Sequence, residues 1–429
     1  MESGAQGSGL DRPQSRANSR ARGNDALILI GLMAAAFSVA IAYMDGLTFP
    51  FLMDEDDYWD QTLEFISDWP PSLQLLRTYG EPMTPLSFFY WGAVELSLGL
   101  GVPGLRLSCL VLSVAALLLI GRRANSPGRR ALLCAVGLLL YPYWVPLSLL
   151  IYTDMPAVFL SMLGLFLYAR GRSIASAAAF VLAIATRQYM ITVPLSLLAA
   201  ELMPAMFSRA PLRWERVIPL VAASSSLAGW VIFFGGLGPS PGLDVYPTHL
   251  DALIDFSPVY GLYMLSCVGA YFVVPEFALF RRWRDPWPFE LSFRNISVGV
   301  GLLVAFASLG LPGSDVAMGP LNRSVVTLLP VELPGAIREV VRIVIFAALA
   351  WLTCVRFRHL DVVFWLLLSR GLLMTVSWEG WEKYHMVLLA SLWYLRSLSE
   401  LDKPLELFGL DARLDREANA TSAEPSQAA

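Results

Sequence analysis

The chain has 429 residues, of which 56% are hydrophobic and only 15% are charged. Soluble globular proteins carry about a quarter charged residues, so this composition excludes an ordinary soluble domain. The net charge of −4 indicates no particular partner, because acidic and basic residues are segregated along the chain. Apolar runs such as 26–44 and 105–120 have the length and polarity of bilayer-spanning helices. The sequence therefore predicts an all-α polytopic membrane protein.

The two ends of the chain differ from its apolar middle. Residues 1–25 are rich in Gly, Ser and Arg, and we predict a disordered cytoplasmic N-terminus there. The first apolar segment lacks a small-residue cleavage site, so it is predicted to be a retained membrane helix rather than a signal peptide. Residues 401–429 are predicted to form a largely disordered cytoplasmic tail. A single transmembrane domain then covers residues 26–400.

Positively charged residues indicate which loops are cytoplasmic. Arginines before the first helix place the N-terminus in the cytoplasm, so the acidic segment 45–103 is the first external loop. At ~1.5 Å per residue, its apolar stretch 86–98 is too short to cross a ~30 Å hydrocarbon core and is predicted to be a juxtamembrane helix. The stretch 174–200 is interrupted by Arg187-Gln188, and we predict two short helices that meet there. When cytoplasmic and external loops alternate in the same way along the rest of the chain, about twelve spans are predicted.

A dense acidic cluster follows the first apolar segment. Five carboxylates lie within the seven residues from Asp54 to Asp60. Charge of this density is too costly to lie in hydrocarbon, so the cluster marks a membrane–water boundary. The predicted outer loops also contain Glu81, Asp154, Arg187, Asn322, Arg323, Arg338, Glu379, Glu382, Lys383, Tyr384 and His385. Cations that hold a phosphate and a carboxylate that acts as a base suit chemistry on an anionic lipid. Simply solvated loop charges are the alternative.

Several short motifs in these loops follow a recognisable order. They are Met53-Asp54-Glu55 with Gln61, Glu81-Pro82-Met83-Thr84-Pro85-Leu86, Gly104-Leu105-Arg106-Leu107, Gly121-Arg122-Arg123, Tyr152-Thr153-Asp154 and Arg187-Gln188. This layout resembles that of GT-C glycosyltransferases. More narrowly, it resembles the dolichyl-phosphate-glucose-dependent α-1,2-glucosyltransferases of N-glycan precursor assembly. Two later motifs of that family are matched more loosely, by Asn322-Arg323 and Glu382-Lys383-Tyr384-His385.

The sequence departs from that family at the acidic motif and near the C-terminal end. Tyr58 stands where the family has His, Asp60 stands where it has Pro, and Asp56-Asp57 replace apolar residues. Lys383 without a preceding proline replaces a Pro-Arg pair. The resemblance therefore supports the reaction class more strongly than it supports the identity of the sugar or the acceptor.

The resemblance implies a GT-C-like bundle that transfers a hexose, with glucose as one candidate, from a polyprenyl-phosphate donor to an acceptor hydroxyl. The transfer inverts the anomeric centre on the extracytoplasmic face. Asp54 is the expected general base, with Glu55 next. The expected phosphate-binding residues are Arg187, Lys383 and Arg323. The expected substrate-binding residues are Glu81, Tyr152, Asp154, Gln188 and Tyr384.

No cofactor is expected. The four cysteines lie in apolar segments as small core residues, and His249 and His385 lack a second ligand at metal spacing. A divalent cation at Asp56, Asp57 and Asp60 is less favoured than solvated acids. The expected partners are the polyprenyl-phosphate sugar, a glycan or lipid-linked acceptor and the bilayer, with no nucleic acid. Arginine-rich, lysine-poor usage suggests a bacterial inner membrane, with the site facing outward.

A polytopic transporter or lipid flippase without transferase activity is the alternative function. Such proteins carry charges deep within their spans, often on broken helices in paired halves. Here the middles of most apolar segments lack charge, and the charges collect at one predicted face. A scaffold protein, as a third possibility, would require no single carboxylate.

Overall fold

The structure is a computed structural model that describes residues 12–121, 128–208, 211–239, 241, 256–280, 292–311, 319–330, 332–377 and 380–398. Within these ranges the chain forms helices, turns and loops and contains no strand. The predicted all-α class is therefore confirmed. The proposed tail, 401–429, lies outside the described residues.

The helices follow one another through short connections. In the first half they are α1 (Arg12–Tyr43), α2 (Glu55–Ser67), α3 (Leu75–Thr78), α4 (Leu86–Leu98), α5 (Gly101–Gly121), α6 (Gly128–Leu139), α7 (Trp144–Ser148), α8 (Asp154–Ala169), α9 (Ser173–Thr186), α10 (Thr192–Ser208) and α11 (Trp214–Phe234). In the second half they are α12 (Pro258–Val268), α13 (Val274–Phe280), α14 (Phe293–Leu309), α15 (Pro320–Leu328), α16 (Gly335–Arg356), α17 (Val362–Thr375) and α18 (Met386–Ser397). A π-helical turn, Gly269–Val273, joins α12 to α13, and 3₁₀ turns precede α10 (Gln188–Ile191) and α18 (Glu382–His385).

Four helical segments of the described chain are long and apolar enough to cross a membrane. They are Gly101–Ile120, Gln188–Phe207, Trp214–Phe234 and Pro258–Phe280. Five shorter apolar helices of 10–17 residues accompany them. The membrane class is thus supported by length and composition, whereas the predicted bundle of about twelve spans is not confirmed.

Two local predictions about helix boundaries are confirmed. The short helix α4 covers Leu86–Leu98, as its isolated apolar stretch predicted. The long stretch around Arg187 is broken: α9 ends at Thr186, Arg187 is extended with φ −149° and ψ 123°, and a 3₁₀ turn leads into α10. The break at Arg187 lies at the cavity described below, because Arg187, Gln188 and Tyr189 line it.

The predicted disorder of residues 1–25 needs a correction. Helix α1 begins at Arg12, so residues 12–25 continue the first apolar helix, while residues 1–11 lie outside the described part of the chain. Arginine and alanine, which are frequent here, favour helix. Because adding residues to an existing helix avoids the cost of nucleation, the helix of the apolar segment extends toward the N-terminus into polar sequence.

Close backbone contact brings α16 against the π-helical turn. A Cβ atom added to Gly269 would lie 2.1 Å from the carbonyl oxygen of Leu349, so any side chain there would force the two segments apart. Small residues allow such close approach between apolar helices. The contact fixes α12 and α13 relative to α16 and thereby positions Tyr263 and Tyr271, which serve the site described next.

Ion pairs close the bundle at the end far from that site. Glu276 accepts hydrogen bonds from Arg356 (Nε–Oε2 2.9 Å and Nη2–Oε1 2.9 Å) and pairs with Arg396 over 2.7 Å. Glu201 pairs with Arg216 over 3.1 Å and accepts a hydrogen bond from the Tyr168 hydroxyl. Tyr168 and Asp154 lie near the two ends of α8, roughly 20 Å apart along the helix axis.

Candidate functional site

A cavity of about 450 Å³ lies where the ends of several helices meet. Its charged lining consists of two carboxylates, Asp54 and Glu81, and three cations, Arg187, Arg370 and Lys383. The other lining residues are Tyr58, Pro82, Met83, Gln188, Tyr189, Leu373, Met374, Val376, Ser377, Trp381 and Tyr384. The cavity lining therefore combines three cations with two carboxylates, several aromatic rings and an apolar wall from α17.

Asp54 stands at the start of α2. The chain turns sharply just before it, because Met53 has a positive φ of 58°, and the acids of the next turn stabilise the helix N-terminus. The Asp54 backbone N–H donates to the Tyr152 hydroxyl (3.2 Å), and that hydroxyl donates to Asp54 Oδ2 (3.0 Å). Lys383 Nζ lies 3.6 Å from the same oxygen, and the Asp54 side chain is 42% exposed. Asp54 is thus held by two partners at the cavity rim.

Glu55, the next residue, is part of the structural core. It is fully buried in a bidentate pair with Arg106, with Nε–Oε1 3.0 Å and Nη2–Oε2 2.8 Å. The backbone N–H groups of Ile151 (2.8 Å) and Leu52 (3.0 Å) donate to it as well. Because its oxygens are occupied and it does not line the cavity, we withdraw Glu55 as a candidate base. Its role is to fix the start of α2 against α5.

Glu81 is the second carboxylate of the cavity. Its residue is only 7% exposed, and none of the described residues donates a hydrogen bond to its carboxylate. Burial raises the pKa of Glu81 to about 7, and the charges of Asp57 and Asp54 act in the same direction, while Arg187 opposes them. A side chain predicted to bind substrate is thus a buried carboxylate that takes up a proton near neutral pH.

The loop that carries Glu81 is fixed from one side. Gln188 Nε2 donates to the carbonyl oxygens of Pro82 (2.9 Å) and Leu237 (3.0 Å). A Cβ atom added to Gly238 would lie 2.6 Å from the Pro82 carbonyl oxygen, so the two backbones touch. Gln188, predicted to bind substrate, lines the cavity and also anchors this loop. The position of Glu81 is therefore set by backbone contacts.

Arg187 reaches the cavity from the break between α9 and α10. Its Nη2 lies 3.1 Å from Asp154 Oδ2 and 3.4 Å from the Tyr58 hydroxyl, and its Nε donates to the Thr153 hydroxyl. The Tyr189 hydroxyl also donates to Asp154. Arg187 thus occupies the predicted location and presents a fixed positive charge to the cavity.

Two residues predicted to bind substrate have supporting positions instead. Asp154 is buried beneath Arg187, and Tyr152 bonds Asp54; neither lines the cavity. Their polar atoms are taken up by Arg187, Tyr189 and Asp54, so we assign them to holding the lining residues. The motif Tyr152-Thr153-Asp154 therefore bonds residues that line the cavity without lining it itself.

Lys383 lies on the 3₁₀ turn before α18 and is 3% exposed. Its Nζ lies 3.4 Å from the centroid of the Trp381 ring and 4.9 Å from that of Tyr152, in the geometry of cation–π contacts. Tyr384, on the same turn, lines the cavity as predicted. The turn thus presents a cation and two aromatic rings together.

Glu382 anchors this turn. Its carboxylate accepts hydrogen bonds from the hydroxyls of Tyr263 (2.6 Å) and Tyr271 and from the backbone N–H groups of Leu321 (2.9 Å) and Asn322 (3.3 Å). Burial raises the pKa of Glu382 to about 7, against the effect of these donors. Glu382 therefore ties α12, the π-helical turn and the start of α15 to Lys383.

Arg370 is a site residue that the sequence analysis missed. It is buried on α17 and lines the cavity. Its guanidinium donates to the backbone carbonyl oxygens of Tyr189 (3.5 Å) and Tyr384 and lies 4.5 Å from the Tyr189 ring centroid. It thereby joins the turn that follows Arg187 to the turn that carries Lys383. A lone arginine in an apolar segment was the available signal, the same one that singled out Arg187.

Other predicted residues do not reach the cavity. Arg323 is exposed on α15 and does not line it, and Asn322 is buried with its side-chain oxygen bonded to Arg342. His385 is fully buried, and its ring nitrogens make no hydrogen bond within the described residues. We therefore remove Arg323 from the phosphate-binding set. The remaining candidates that cannot be placed, because they lie outside the described residues, are Arg122, Arg123, His249, Trp378 and Glu379.

The arrangement suits an anionic ligand with a polar head and an apolar continuation. Three cations outnumber two carboxylates, and Glu81 is partly protonated near neutral pH. Rings of tyrosine and tryptophan offer faces for a sugar, and α17 supplies an apolar wall. No protein-family model matches the chain, and neither a curated protein nor a solved structure matches it.

Proposed function

We propose that this protein is a membrane glycosyltransferase that transfers a hexose, with glucose as one candidate, from a polyprenyl-phosphate donor to an acceptor hydroxyl. The acceptor is a glycan or a lipid-linked molecule, and the transfer inverts the anomeric centre. The single observation that carries the proposal is the cavity itself, in which two carboxylates face three buried or nearly buried cations at the end of an apolar helical bundle.

The cations support the recognition of a lipid phosphate. Arg187 and Lys383 each present a fixed charge to the cavity. In the proposed reaction the leaving group is a polyprenyl phosphate, which gains charge as the bond to the sugar breaks. Positive groups held in advance at that point stabilise the transition state. Arg370 donates to backbone carbonyl groups of the two 3₁₀ turns that carry Tyr189 and Tyr384.

The carboxylates support activation of the acceptor. An incoming hydroxyl must lose its proton as its oxygen attacks the anomeric carbon, and a carboxylate within hydrogen-bond reach accepts it. Asp54 and Glu81 both line the cavity, whereas Glu55 does not. Trp381 and Tyr384 provide ring faces for the sugar.

The proposed setting is the inner membrane of a bacterium, with a GT-C-like bundle of about twelve spans and the cavity on the outer side. The arginine distribution along the sequence supports this orientation. A labelling experiment tests it: Asp56→Cys and Arg358→Cys lie at exposed positions. In intact cells a membrane-impermeant maleimide should label only the first. Labelling of the second alone would reverse the orientation.

The activity test uses purified protein and radiolabelled polyprenyl-phosphate hexoses, with transfer of label and release of polyprenyl phosphate measured together. Wild type should transfer at least one hexose, and Lys383→Met should not. Arg323→Gln is the matched control, because it removes a cation of the same chain that does not line the cavity. Failure of wild type with every donor would contradict the proposal and favour the transporter class.

A further inference from the structure

We infer that Glu81, rather than Asp54, accepts the proton of the attacking hydroxyl, and that Asp54 positions Lys383. This inference rests on the proposed transferase function and assigns roles within the same cavity. It reverses the roles expected from the sequence, in which Asp54 was the base and Glu81 a substrate ligand.

The two carboxylates differ in what already holds them. Asp54 Oδ2 accepts a hydrogen bond from the Tyr152 hydroxyl at 3.0 Å and lies 3.6 Å from Lys383 Nζ. Glu81 receives no hydrogen bond from any of the described residues, although its residue is only 7% exposed. The Asp54 carboxylate is thus already engaged by a donor and a cation, whereas the Glu81 carboxylate is buried without a donor among the described residues.

The environment of Glu81 favours the uptake of a proton. Burial without donors disfavours the charged form, so protonation of Glu81 relieves a cost. General base catalysis is most effective when the pKa of the base lies near the working pH, and burial brings the pKa of Glu81 to about 7.

The surroundings keep Glu81 in place during the reaction. Its loop is held by Gln188 through the Pro82 carbonyl oxygen and touches the backbone at Gly238. Arg187, which also lines the cavity, favours the ionised form of Glu81 that must be present before a proton is taken up. Because the carboxylate lines the cavity on an anchored loop, a hydroxyl bound in the cavity can come within its hydrogen-bond reach, as a general base requires.

In the proposed step one bond forms to the anomeric carbon and one breaks. The acceptor oxygen forms a bond to the anomeric carbon, and its proton passes to a carboxylate oxygen of Glu81. The bond between the anomeric carbon and the phosphate oxygen breaks, and its electron pair leaves with the polyprenyl phosphate, opposite Lys383 and Arg187. Glu81 then returns its proton to water once the product departs. Asp54 keeps Lys383 directed at the phosphate throughout, as a positioning residue.

The experiment compares Glu81→Gln, Glu81→Asp and Asp54→Asn in purified protein, with kcat and KM for the donor measured from about pH 5 to about pH 9. Wild type should lose activity on the acidic side, near pH 7. We expect Glu81→Gln to reduce kcat about 100-fold to 10,000-fold while donor binding, measured by retention of the labelled donor, stays within about threefold. Glu81→Asp should retain part of the activity with a shifted acidic limb.

Asp54→Asn separates the two roles. We expect it to raise the donor KM and to keep the acidic limb of wild type, because the contact between Asp54 and Lys383 is lost while the base remains. Retention of activity by Glu81→Gln, or loss of the acidic limb in Asp54→Asn, would overturn the inference and leave the transferase proposal intact. Absence of transfer by wild type would overturn both. Thermal unfolding of each variant checks that it folds.

Discussion

The two ends of the helical bundle treat buried charge differently. At the closed end, Glu276 is bonded to two arginines, and Glu201 is bonded to Arg216 and a tyrosine. At the cavity end, Glu81 is buried without a hydrogen-bond donor among the described residues, and Arg187, Arg370 and Lys383 line the cavity beside it. A buried charge without full compensation lowers stability, and such groups cluster at functional sites. The difference between the two ends supports the cavity as the candidate functional site.

The largest effect is expected from removing a cavity cation. Lys383→Met should reduce transfer by about 100-fold to 1,000-fold, because a preorganised charge at the leaving group contributes about that much to catalysis. The fold should persist, since the partner left behind, Asp54, is 42% exposed and stays hydrated. Label transfer per mole of protein measures the effect. Lys383→Arg, which keeps the charge, is the control; activity of Lys383→Met within about threefold of wild type would contradict the assignment.

The next effect concerns the closed end. Glu276→Gln should lower the free energy of unfolding by about 3 kcal/mol, because it removes the charge of a buried carboxylate that pairs with two arginines. Transfer by the folded fraction should not change, since the cluster lies far from the cavity. Thermal or denaturant unfolding in detergent measures the first quantity and label transfer the second. A stable but inactive variant would invalidate the division between the two ends.

Glu81→Gln should have the opposite effect on stability. The pKa of Glu81 is about 7 in the folded protein, against 4.5 ordinarily. Between these values the folded state keeps a proton that the unfolded state has lost, so the free energy of unfolding falls as pH rises. Above pH 7 this group costs about 3 kcal/mol.

The variant should therefore be more stable than wild type at pH 8 and equal to it near pH 4. Unfolding midpoints across this range provide the measurement. Because Glu382 also has a raised pKa near 7, its contribution remains in both proteins and cancels in the difference. A difference that does not vary with pH would show that Glu81 does not titrate in this window.

The smallest effect is expected at an exposed cation. Arg323→Gln should change the free energy of unfolding by less than about 0.5 kcal/mol, as surface substitutions usually do, and transfer by less than about twofold. Its side chain is exposed and does not line the cavity. A large loss of transfer would restore Arg323 to the phosphate-binding set and redraw the cavity boundary. The same assay used for Lys383 provides the comparison.

Sequence reasoning located the cavity better than it assigned roles within it. The break at Arg187 and the helix Leu86–Leu98 followed from the cost of charge in an apolar segment and from helix length, which are local properties. The sequence did not indicate that Asp54 lines the cavity whereas Glu55 is buried in the core. These neighbours differ because Arg106 and the backbone of Ile151 close around one of them, and those partners are 51 and 96 residues away.

Arg370 shows a different failure. The sequence contained its signal, an arginine within an apolar helix, but the prediction of charge-free spans discounted it. Its partners are backbone carbonyl groups of Tyr189 and Tyr384, which carry no sequence information. Residues that bond backbone atoms can be located only when the fold brings those atoms to them. Gln188 was predicted from its motif, but its role in anchoring the Glu81 loop depends in the same way on backbone atoms, the carbonyl oxygens of Pro82 and Leu237.

The π-helical turn Gly269–Val273 has a consequence for how this chain tolerates insertions and deletions. Such turns widen a helix locally and shift the direction of every later side chain. Here the wide turn carries Tyr271, whose hydroxyl binds Glu382 alongside that of Tyr263 from the preceding helix. Removing one residue would restore the regular winding and rotate α13 by about 100°. Tyr271 binds Glu382 of the turn before α18, and Glu276 on α13 pairs with Arg356 and Arg396. A single deletion here would therefore disturb the cavity end and the closed end at once.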